Sequence, residues 1–367
     1  MKDLLDKAKN QFVQNLPFVL YCKPNSATVI GVFQQNDILY SIADFTEKGF
    51  VFASFDGKEN YFIPENQSEI VTGFCNKKET LISKKETLIS PNKLEKKAFE
   101  NLVKNGIQAI QNEAFKKVVL SRKESVELVD FDLFAIFEQL VQLYSTTFVY
   151  CFFHPKIGIW LGATPEQLIQ SENKKITTIA LAGTLKKTDP ELVNWGDKEI
   201  VEQQFVTDYI VEKLEKVADN ILVSKPYTIK AGSIWHIKTD ISGQLNSNSN
   251  LQQAIALLHP TPAVCGFPKE ASKGFIMANE KYERNFYTGF LGELNHSQNT
   301  DSMHSDLFVN LRCMQIEWSA TKAKANLYVG CGITKDSIPE KEWEESVHKA
   351  MTMKRVLNFQ QIECDIK

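Results

Sequence analysis

The sequence predicts an α+β protein with large, mostly antiparallel sheets. Segments with strand-like patterning follow one another in runs, whereas a doubly wound parallel sheet would alternate strands with helices. The chain has 367 residues, 43% of them hydrophobic, so it is long enough to bury a large core. No linker-like stretch divides it. We therefore expect one large unit, in which a β-rich part at 1–95 completes the fold of residues 96–367.

The first half of the chain combines short strands with two long helices. Residues 1–75 carry alternating runs such as "ATVIGVF" and "GFVFASF", which are typical of strands. A helix is predicted from about residue 96, and strands are predicted at 115–123, 146–153, 158–164 and 175–184. A second long helix is predicted over 197–218, because apolar residues recur there at helical spacing: Ile200, Phe205, Ile210, Val211 and Leu214.

The second half is again dominated by strands. They are predicted at 227–245, 287–294, 306–318 and 324–334, with short helices at 251–258 and 268–279 and a final helix at 339–357. One heptad, "KKETLIS", occurs at 77–83 and again at 84–90. Because a solenoid needs at least three repeats, this copy is interpreted as a local duplication in an exposed loop.

Composition excludes several classes of protein. A formal net charge of -3 lacks the basic excess of nucleic-acid binders. The N-terminus has no signal-peptide pattern, and no window approaches the roughly 20 apolar residues of a membrane span. The seven cysteines are scattered without CxxC spacing, which indicates reduced thiols in a cytoplasmic protein.

Two of the predicted helices each carry a pair of glutamates three residues apart. The pairs are Glu199 with Glu202 and Glu342 with Glu345. Residues at i and i+3 share a helix face, so each helix can present two carboxylates together. Such pairs are also common on solvated faces, where neighbouring lysines can compensate them. If the two faces meet, the four anions need a cation among them, and Mg²⁺ prefers such oxygen ligands.

Two lysines stand at the mouth of an apolar strand. Lys116 and Lys117 directly precede the buried-strand pattern at 118–120. Lysine is common at solvated strand ends, so this position has an ordinary structural explanation. Strand alternation nevertheless directs the two side chains to opposite sides, and only one of them can face a given site.

Eight motifs, in order, resemble those of the chorismate-utilising enzymes. They cover about 115–355, some two thirds of the chain: "KVVLSR", "GATPEQL", "LAGT", "LLHPTPAVCGFP", "ERNFYTGFLG", "LRC", "GCGI" and "PEKEWEES". The resemblance implies a single large unit with two packed, mostly antiparallel sheets and helices outside. It also implies that residues 96–367 form a chorismate-binding catalytic region.

The resemblance further implies a magnesium site and a substrate site. Glu202 and Glu345 match the family's Mg²⁺ ligands, and Glu199 and Glu342 match the positions behind them, which act through metal-bound water. The residues implied to bind the substrate are Ala182, Gly183, Thr184, Ala263, Val264, Tyr287, Arg312, Gly330 and Lys349. Arginine suits a carboxylate because its planar fork binds in a bidentate manner.

The implied activity is the reversible conversion of chorismate to isochorismate. Lys117 matches the base that activates water for attack at C2, and Glu166 matches the acid that protonates the departing C4 hydroxyl. His236 matches a histidine near the ring and this hydroxyl. A lysine that acts as a base must first be neutral, which burial favours. Outside this family, Glu166 would suggest a first helical turn, and a lone His236 would suggest a buried core residue.

The same resemblance indicates which product the enzyme releases. Salicylate synthases, which also release pyruvate, usually carry threonine at the position of Ala263, so isochorismate for menaquinone or siderophore synthesis is predicted as the released product. Salicylate synthesis remains the alternative, as does a chorismate-binding homologue without catalysis. Lys117 argues against an aminating enzyme, so no amidotransferase subunit is expected. The chain is expected to be a monomer.

Two residues depart from the family pattern. Gln203 stands where the family often has histidine, which affects hydrogen bonding beside Glu202 but not the metal ligand itself. Cys331 replaces the usual alanine between two glycines and is interpreted as a small structural residue.

Overall fold

The computed structural model describes residues 1–75, 93–185, 194–231, 234–297, 302–319 and 322–358. The duplicated heptads at 77–90 lie outside these residues. Within them, seven α-helices surround two sheets. The helices are α1 (Lys2–Val13), α2 (Lys93–Gln111), α3 (Leu133–Leu143), α4 (Asp197–Leu214), α5 (Leu251–Leu258), α6 (Lys269–Asn279) and α7 (Pro339–Lys354).

Sheet A has nine strands in the described residues. They are β1 (Phe18–Cys22), β2 (Thr28–Gln34), β6 (Ser68–Phe74), β7 (Lys117–Leu128), β8 (Phe148–His154), β9 (Gly158–Thr164), β15 (Gly266–Phe267), β18 (Cys313–Trp318) and β19 (Ala323–Ile333). Their spatial order is β15-β7-β19-β18-β9-β8-β1-β2-β6. Every neighbouring pair is antiparallel.

Sheet B has ten strands in the described residues, again with only antiparallel pairs. They are β3 (Tyr40–Ser41), β4 (Gly49–Ala53), β5 (Asn60–Pro64), β10 (Gln167–Glu172), β11 (Lys175–Leu185), β12 (Ala218–Val223), β13 (Tyr227–Ala231), β14 (Ile234–Leu245), β16 (Phe290–Ser297) and β17 (Met303–Val309). The order is β12-β14-β11-β10-β17-β16-β4-β5-β3, and β13 pairs with β14.

Aromatic side chains join the two sheets face to face. The ring of Phe52 on β4 stacks at 4.4 Å on Phe152 of β8. Phe148 of β8 stacks at 4.5 Å on Phe308 of β17. Large aromatic rings bury much apolar surface, and offset stacking adds to the stabilisation that this burial provides. The predicted α+β class with two packed antiparallel sheets is confirmed.

Helices cover the outer faces of the sandwich. Helix α4 buries Val206, Tyr209, Ile210 and Leu214 in a core cluster with strands of sheet B. Helices α2, α6 and α7 pack over β7 and β19 of sheet A. Helices therefore cover one face of the start of β7 and the end of β19. Among the helices of the described residues, none combines the length and the apolar composition that a bilayer crossing requires.

Several elements differ from the prediction. Helices α1 and α3 were not predicted, although Asp132 caps α3 by accepting from the backbone N–H groups of Phe134 and Ala135. The long helix ends at Leu214 instead of 218, because residues 218–223 form β12 on the edge of sheet B. Of the apolar residues that predicted α4, Ile200 is exposed, so only part of that pattern faces the core.

The N-terminal residues contribute strands to both sheets. Strands β1, β2 and β6 extend sheet A, and β3, β4 and β5 extend sheet B. The proposed boundary at residue 95 lies within α2.

Candidate active site

Lys117 begins β7 and points toward α4. Its Nζ lies 3.4 Å from Oε1 of Glu202, and its side chain is 20% exposed. On the neighbouring strand β19, a Cβ at Gly332 would lie 3.1 Å from Cε of Lys117, so the glycine leaves room for the lysine side chain. Lys116 lies instead over the ring of Phe267, 5.9 Å from its centroid. Only Lys117 of the two therefore faces the carboxylates of α4.

Lys349 on α7 contacts both a second carboxylate and the backbone near the end of β19. Its Nζ pairs with Oε1 of Glu345 at 2.7 Å and donates to the carbonyl of Gly330 at 2.8 Å. A Cβ at Gly330 would lie 2.9 Å from the hydroxyl of Tyr287, so only glycine allows the tyrosine to approach this backbone. Burial raises the pKa of Tyr287, which keeps its hydroxyl protonated. Tyr287, Gly330, Lys349 and Glu345 thus form one contiguous group.

Arg312 lies next to this group at the start of β18. Its Nη1 donates to Oγ1 of Thr352 on α7 at 3.0 Å. Its backbone has a φ of 46°, and its carbonyl accepts from the N–H of Ala163 at 3.0 Å. Burial lowers the pKa of Arg312, opposed by the attraction of Tyr287 and Glu345. The guanidinium is therefore a half-buried cation close to the predicted substrate residues.

His236 is fixed by a bulge in sheet B. The β11–β14 register shifts between Ala182 and Thr184, and Gly183 there has a φ of 72°, a conformation that favours glycine. The Gly183 carbonyl lies 3.0 Å from Nδ1 of His236. A carbonyl only accepts, so Nδ1 carries the proton. Burial lowers the pKa of His236, and the positive charges of Lys349 and Arg312 lower it further. The hydrogen bond to the Gly183 carbonyl acts in the opposite direction and raises this pKa.

Glu166 lies in the turn between β9 and β10, not in a first helical turn. Its carbonyl accepts from the N–H of Val309 at 2.9 Å. Burial raises the pKa of Glu166 to about 7, although the charges of Lys117 and Lys349 act to lower it. This carboxyl is therefore half protonated near neutral pH and can donate a proton there. Lys117 and Lys349 are therefore near enough for their charges to act on this carboxyl.

The glutamate pairs stand on two helices, as predicted. On α7, ligand atoms of Glu342, Glu345 and Cys331 lie within 4.8 Å of one another, and this is the one such group found in the described part of the chain. Glu199 and Glu202 of α4 do not belong to that group. The structure thus brings the α7 pair together but does not merge all four carboxylates into one cluster.

Cys331 contributes a buried thiol beside the α7 pair. Its Sγ lies 3.3 Å from the carbonyl of Glu342. Burial raises the pKa of Cys331 to about 12, so the thiol is protonated at neutral pH.

Four further residues were predicted to bind the substrate, and for these the structure gives less evidence of an exposed side chain in the site. The side chain of Val264 belongs to the core, and its carbonyl accepts from Nη1 of Arg284 at 3.0 Å. Any contact of Val264 with a substrate would therefore have to use its backbone. Ala263 and Ala182 are half-buried. The backbone of Thr184 pairs with that of His236.

A buried ion pair behind the site was not predicted. Arg284 and Glu280 have side chains that are 2% and 1% exposed and are joined by hydrogen bonds of 2.6 and 2.8 Å. Arg284 also donates to the carbonyl of Val119 at 2.6 Å, two residues after Lys117. Glu280 accepts from the N–H and the hydroxyl of Ser121, each at 2.8 Å. The sequence offered one indication of this ion pair: Glu280 and Arg284 have opposite charges and are four residues apart.

Comparisons with known proteins agree on one family. Residues 46–358 match the family model described as "Chorismate binding enzyme". The chain is 29% identical over 280 residues to isochorismate synthase EntC of Escherichia coli, covering 72% of this chain and 68% of the relative. It is 29% identical over 285 residues to isochorismate synthase DhbC of Bacillus subtilis, again covering 72% and 68%.

Solved structures show the same fold. The menaquinone-specific isochorismate synthase MenF of Escherichia coli superposes with a TM-score of 0.76 at 22% identity, covering 94% of this chain and 89% of that one. Anthranilate synthase component I of Streptococcus pneumoniae superposes with a TM-score of 0.65 at 18% identity, covering 92% of each chain. This architecture therefore occurs in proteins named for different reactions.

Proposed function

Since this chain belongs to the chorismate binding enzyme family, we propose that it is an isochorismate synthase, an isomerase that reversibly converts chorismate to isochorismate. The observation that carries the proposal is the carboxyl of Glu166, whose pKa is raised to about 7. We infer that it shares one site with the predicted base Lys117, because the charge of Lys117 acts on this carboxyl. A base and a protonated acid in one site can act on two ends of the same substrate. The names of the curated relatives support the same activity.

Lys117 and Glu166 have complementary roles in the proposed reaction. In its neutral form, Lys117 takes a proton from water as the water oxygen bonds to C2 of the ring. Both ring double bonds shift and the C4–O bond breaks. Glu166 protonates the departing hydroxyl, which leaves as water, so atoms and charge balance. His236, with its proton on Nδ1, can accept a hydrogen bond through its other ring nitrogen when it is neutral.

Tyr287, Arg312, Lys349 and the backbone of Gly330 are proposed to hold one substrate carboxylate. Two of these groups are cations and one is a buried hydroxyl, which suits an anion. The bulge at Ala182, Gly183 and Thr184 is proposed to face the ring, because its carbonyl already orients His236.

The carboxylates of α4 and α7 are proposed to hold a magnesium ion, although the structure gathers only the α7 pair within one group of ligand atoms. They offer hard oxygen donors, and Lys117 and Lys349 compensate Glu202 and Glu345 in the structure, so each carboxylate already has a cation beside it. Glu202 and Glu345 would bind the ion directly, and Glu199 and Glu342 would bind through water. When bound, Mg²⁺ supplies orientation and charge neutralisation for the ring carboxylate. Glu202 would then leave its ion pair with Lys117, whose nitrogen becomes available to water.

Product analysis tests the proposed function. Purified protein is incubated with chorismate, with and without Mg²⁺, and the products are separated by chromatography and identified by NMR. Isochorismate at equilibrium with chorismate, formed only with Mg²⁺ and without pyruvate, is the expected result. Salicylate with pyruvate would replace the proposal by salicylate synthesis, with Ala263 as the misleading residue. Folded protein without turnover would point to a binding protein.

Lys117→Ala is expected to lower kcat by about a hundredfold to ten-thousandfold, the usual contribution of general acid–base catalysis. Chorismate binding should persist, because Lys117 is proposed to contact water and not the substrate carboxylates. Lys116→Ala is the matched control, since Lys116 lies over Phe267 outside the site. Steady-state kinetics and chorismate titration measure both effects. Full activity in Lys117→Ala would remove this lysine as the base.

Glu345→Gln is expected to weaken Mg²⁺ and chorismate binding together. Glu345 would hold the proposed ion, which would in turn orient the ring carboxylate, so the loss should be at least about tenfold, as for residues that support metal sites. Isothermal titration of Mg²⁺ and of chorismate measures both affinities. Glu344→Gln, on the exposed side of the same helix, should change neither. Unchanged chorismate affinity in Glu345→Gln would show that the metal assignment is wrong.

A further inference from the structure

Helix α4 must be held in a fixed position if its carboxylates are to reach the site. Its buried face packs on sheet B through Val206, Ile210 and Leu214. Apolar packing of this kind is non-directional and does not by itself fix a helix rotation. A directional contact near Glu199 and Glu202 would therefore decide where the two carboxylates point.

Gln203 makes such a contact. It follows Glu202 directly but points inward, and it is 2% exposed. Its Nε2 donates to Oγ1 of Thr239 on β14 at 2.7 Å and to Oγ1 of Thr207 on α4 at 2.9 Å. The amide NH₂ group has two N–H donors, and both are used. Because Thr207 and Thr239 are also buried, water is a poor substitute for these hydrogen bonds.

The partner of Gln203 belongs to the strand that carries His236. Thr239 lies three residues after His236 on β14, and the two residues pair with Ala180 and Thr184 of β11. The bulge at Gly183 lies between those two pairs. A Cβ at Gly183 would lie 3.3 Å from Cβ of Glu199, so α4 passes directly over the bulge. One hydrogen bond thus links the helix of the acidic pair to the strand of the predicted catalytic histidine.

We propose that Gln203 is a positioning residue that sets the metal affinity of Glu199 and Glu202 by joining α4 to Thr239. This inference rests on the proposed magnesium-dependent function, in which these carboxylates serve Mg²⁺. The amide replaces the histidine that the family often has at this position. One of its N–H donors bonds Thr207 on the same helix and orients the amide, and the other bonds Thr239 on the sheet, which gives α4 a directional contact with sheet B. Hydrogen-bonding partners behind metal ligands commonly control affinity in this way.

The test is Mg²⁺ titration by calorimetry of the full chain and four variants. Gln203→Leu removes both donors, and Thr239→Val removes one acceptor at nearly constant volume. Each is expected to raise the Mg²⁺ dissociation constant by about tenfold or more. Thr239→Ser keeps the hydroxyl and should retain the wild-type affinity. Gln204→Leu is the matched control, because Gln204 is an exposed glutamine on the same helix that bonds only Asp208 among the described hydrogen bonds.

A double variant and a thermal melt separate positioning from general damage. Gln203→Leu with Thr239→Val should bind Mg²⁺ no more weakly than the weaker single variant, because both changes break the same contact. Thr239→Val should lose affinity while remaining folded in a thermal melt. Additive losses in the double variant, or wild-type affinity in Gln203→Leu and Thr239→Val, would overturn the inference.

The outcomes also separate this inference from the proposed function. Isochorismate formation with unchanged Mg²⁺ affinity in the variants leaves the function in place and overturns the role of Gln203. Weakened Mg²⁺ binding in a protein that forms no isochorismate supports the role of Gln203 and overturns the function. A wild-type chain that binds no Mg²⁺ overturns both.

Discussion

Glu166→Gln should lower kcat by about a hundredfold or more, because glutamine cannot give a proton to the departing hydroxyl. Chorismate and Mg²⁺ affinities should change little, since the substitution preserves size and Glu166 is not assigned to either ligand. Steady-state kinetics with parallel titrations measure the separation. Glu172→Gln, at the exposed end of β10, is the matched control. The neighbouring Gln167 is not suitable as a control, because its side chain donates a hydrogen bond to the buried Asp306.

The pH dependence provides a second signature of the same group. The pKa of Glu166 is raised from 4.5 to about 7 in the folded chain. Between pH 4.5 and about pH 7 the folded chain therefore keeps the proton on Glu166, whereas the unfolded chain loses it. Because the folded state binds more protons in this range, Glu166 makes the free energy of unfolding fall as the pH rises from about 4.5 to about 7. Glu166→Gln should raise the melting temperature at pH 8 relative to wild type, while activity is lost. A melting temperature that is lower at pH 8, or wild-type turnover, would contradict the assignment.

The wild-type activity should follow the protonation of the same carboxyl. If Glu166 is the acid, its protonated fraction, and with it its contribution to kcat/KM, falls as pH rises through about 7. A pH–rate profile of the wild-type chain measures this limb. A profile that keeps rising to pH 9 would exclude Glu166 as the acid.

Glu280→Ala should destabilise the chain by about 3–5 kcal/mol, the cost of breaking a buried ion pair. The variant leaves the Arg284 guanidinium 2% exposed and without its carboxylate, and it removes the acceptor for Ser121. Chemical denaturation measures the change in the free energy of unfolding. Glu283→Ala is the matched control, since Glu283 is exposed in the same segment. A loss below about 1 kcal/mol, typical of exposed pairs, would show that the pair is not buried in solution.

The double variant Glu280→Leu with Arg284→Met should be less destabilised than Glu280→Ala. Removing both charges leaves no unpaired ion in the core, and apolar replacement of a buried pair is often neutral. A double variant that is as unstable as Glu280→Ala would assign the effect to the backbone carbonyls of Val119 and Val264, which Arg284 also binds.

The fold class could be predicted from the sequence because strands and helices have local patterns. Period-two runs marked strands near the N-terminus, and apolar residues at helical spacing marked α4. Helix α3 was missed although its buried residues lie at the i, i+3, i+4 spacing that predicts a helix: Leu133, Phe134, Ile136, Phe137, Leu140 and Val141.

The identities of the site residues were also present in the sequence, as motifs in family order. Their mutual arrangement was not. Lys117 and Glu202 are 85 positions apart along the chain, and only the packing of α4 beside β7 makes them an ion pair. The structure explains the glycines at 330 and 332: the absence of a Cβ leaves room for the Tyr287 hydroxyl at the first and for the Lys117 side chain at the second.

The sequence by itself determined the α+β class, the acidic pairs on two helices and the lysine at the mouth of β7, because these depend on neighbours along the chain. The tertiary structure decided which groups are desolvated and which are paired. The raised pKa of Glu166, the inward position of Gln203 and the burial of Glu280 with Arg284 all depend on atoms from distant segments. Desolvation and hydrogen bonding act over a few ångströms in space, and only the folded chain specifies what lies within that distance.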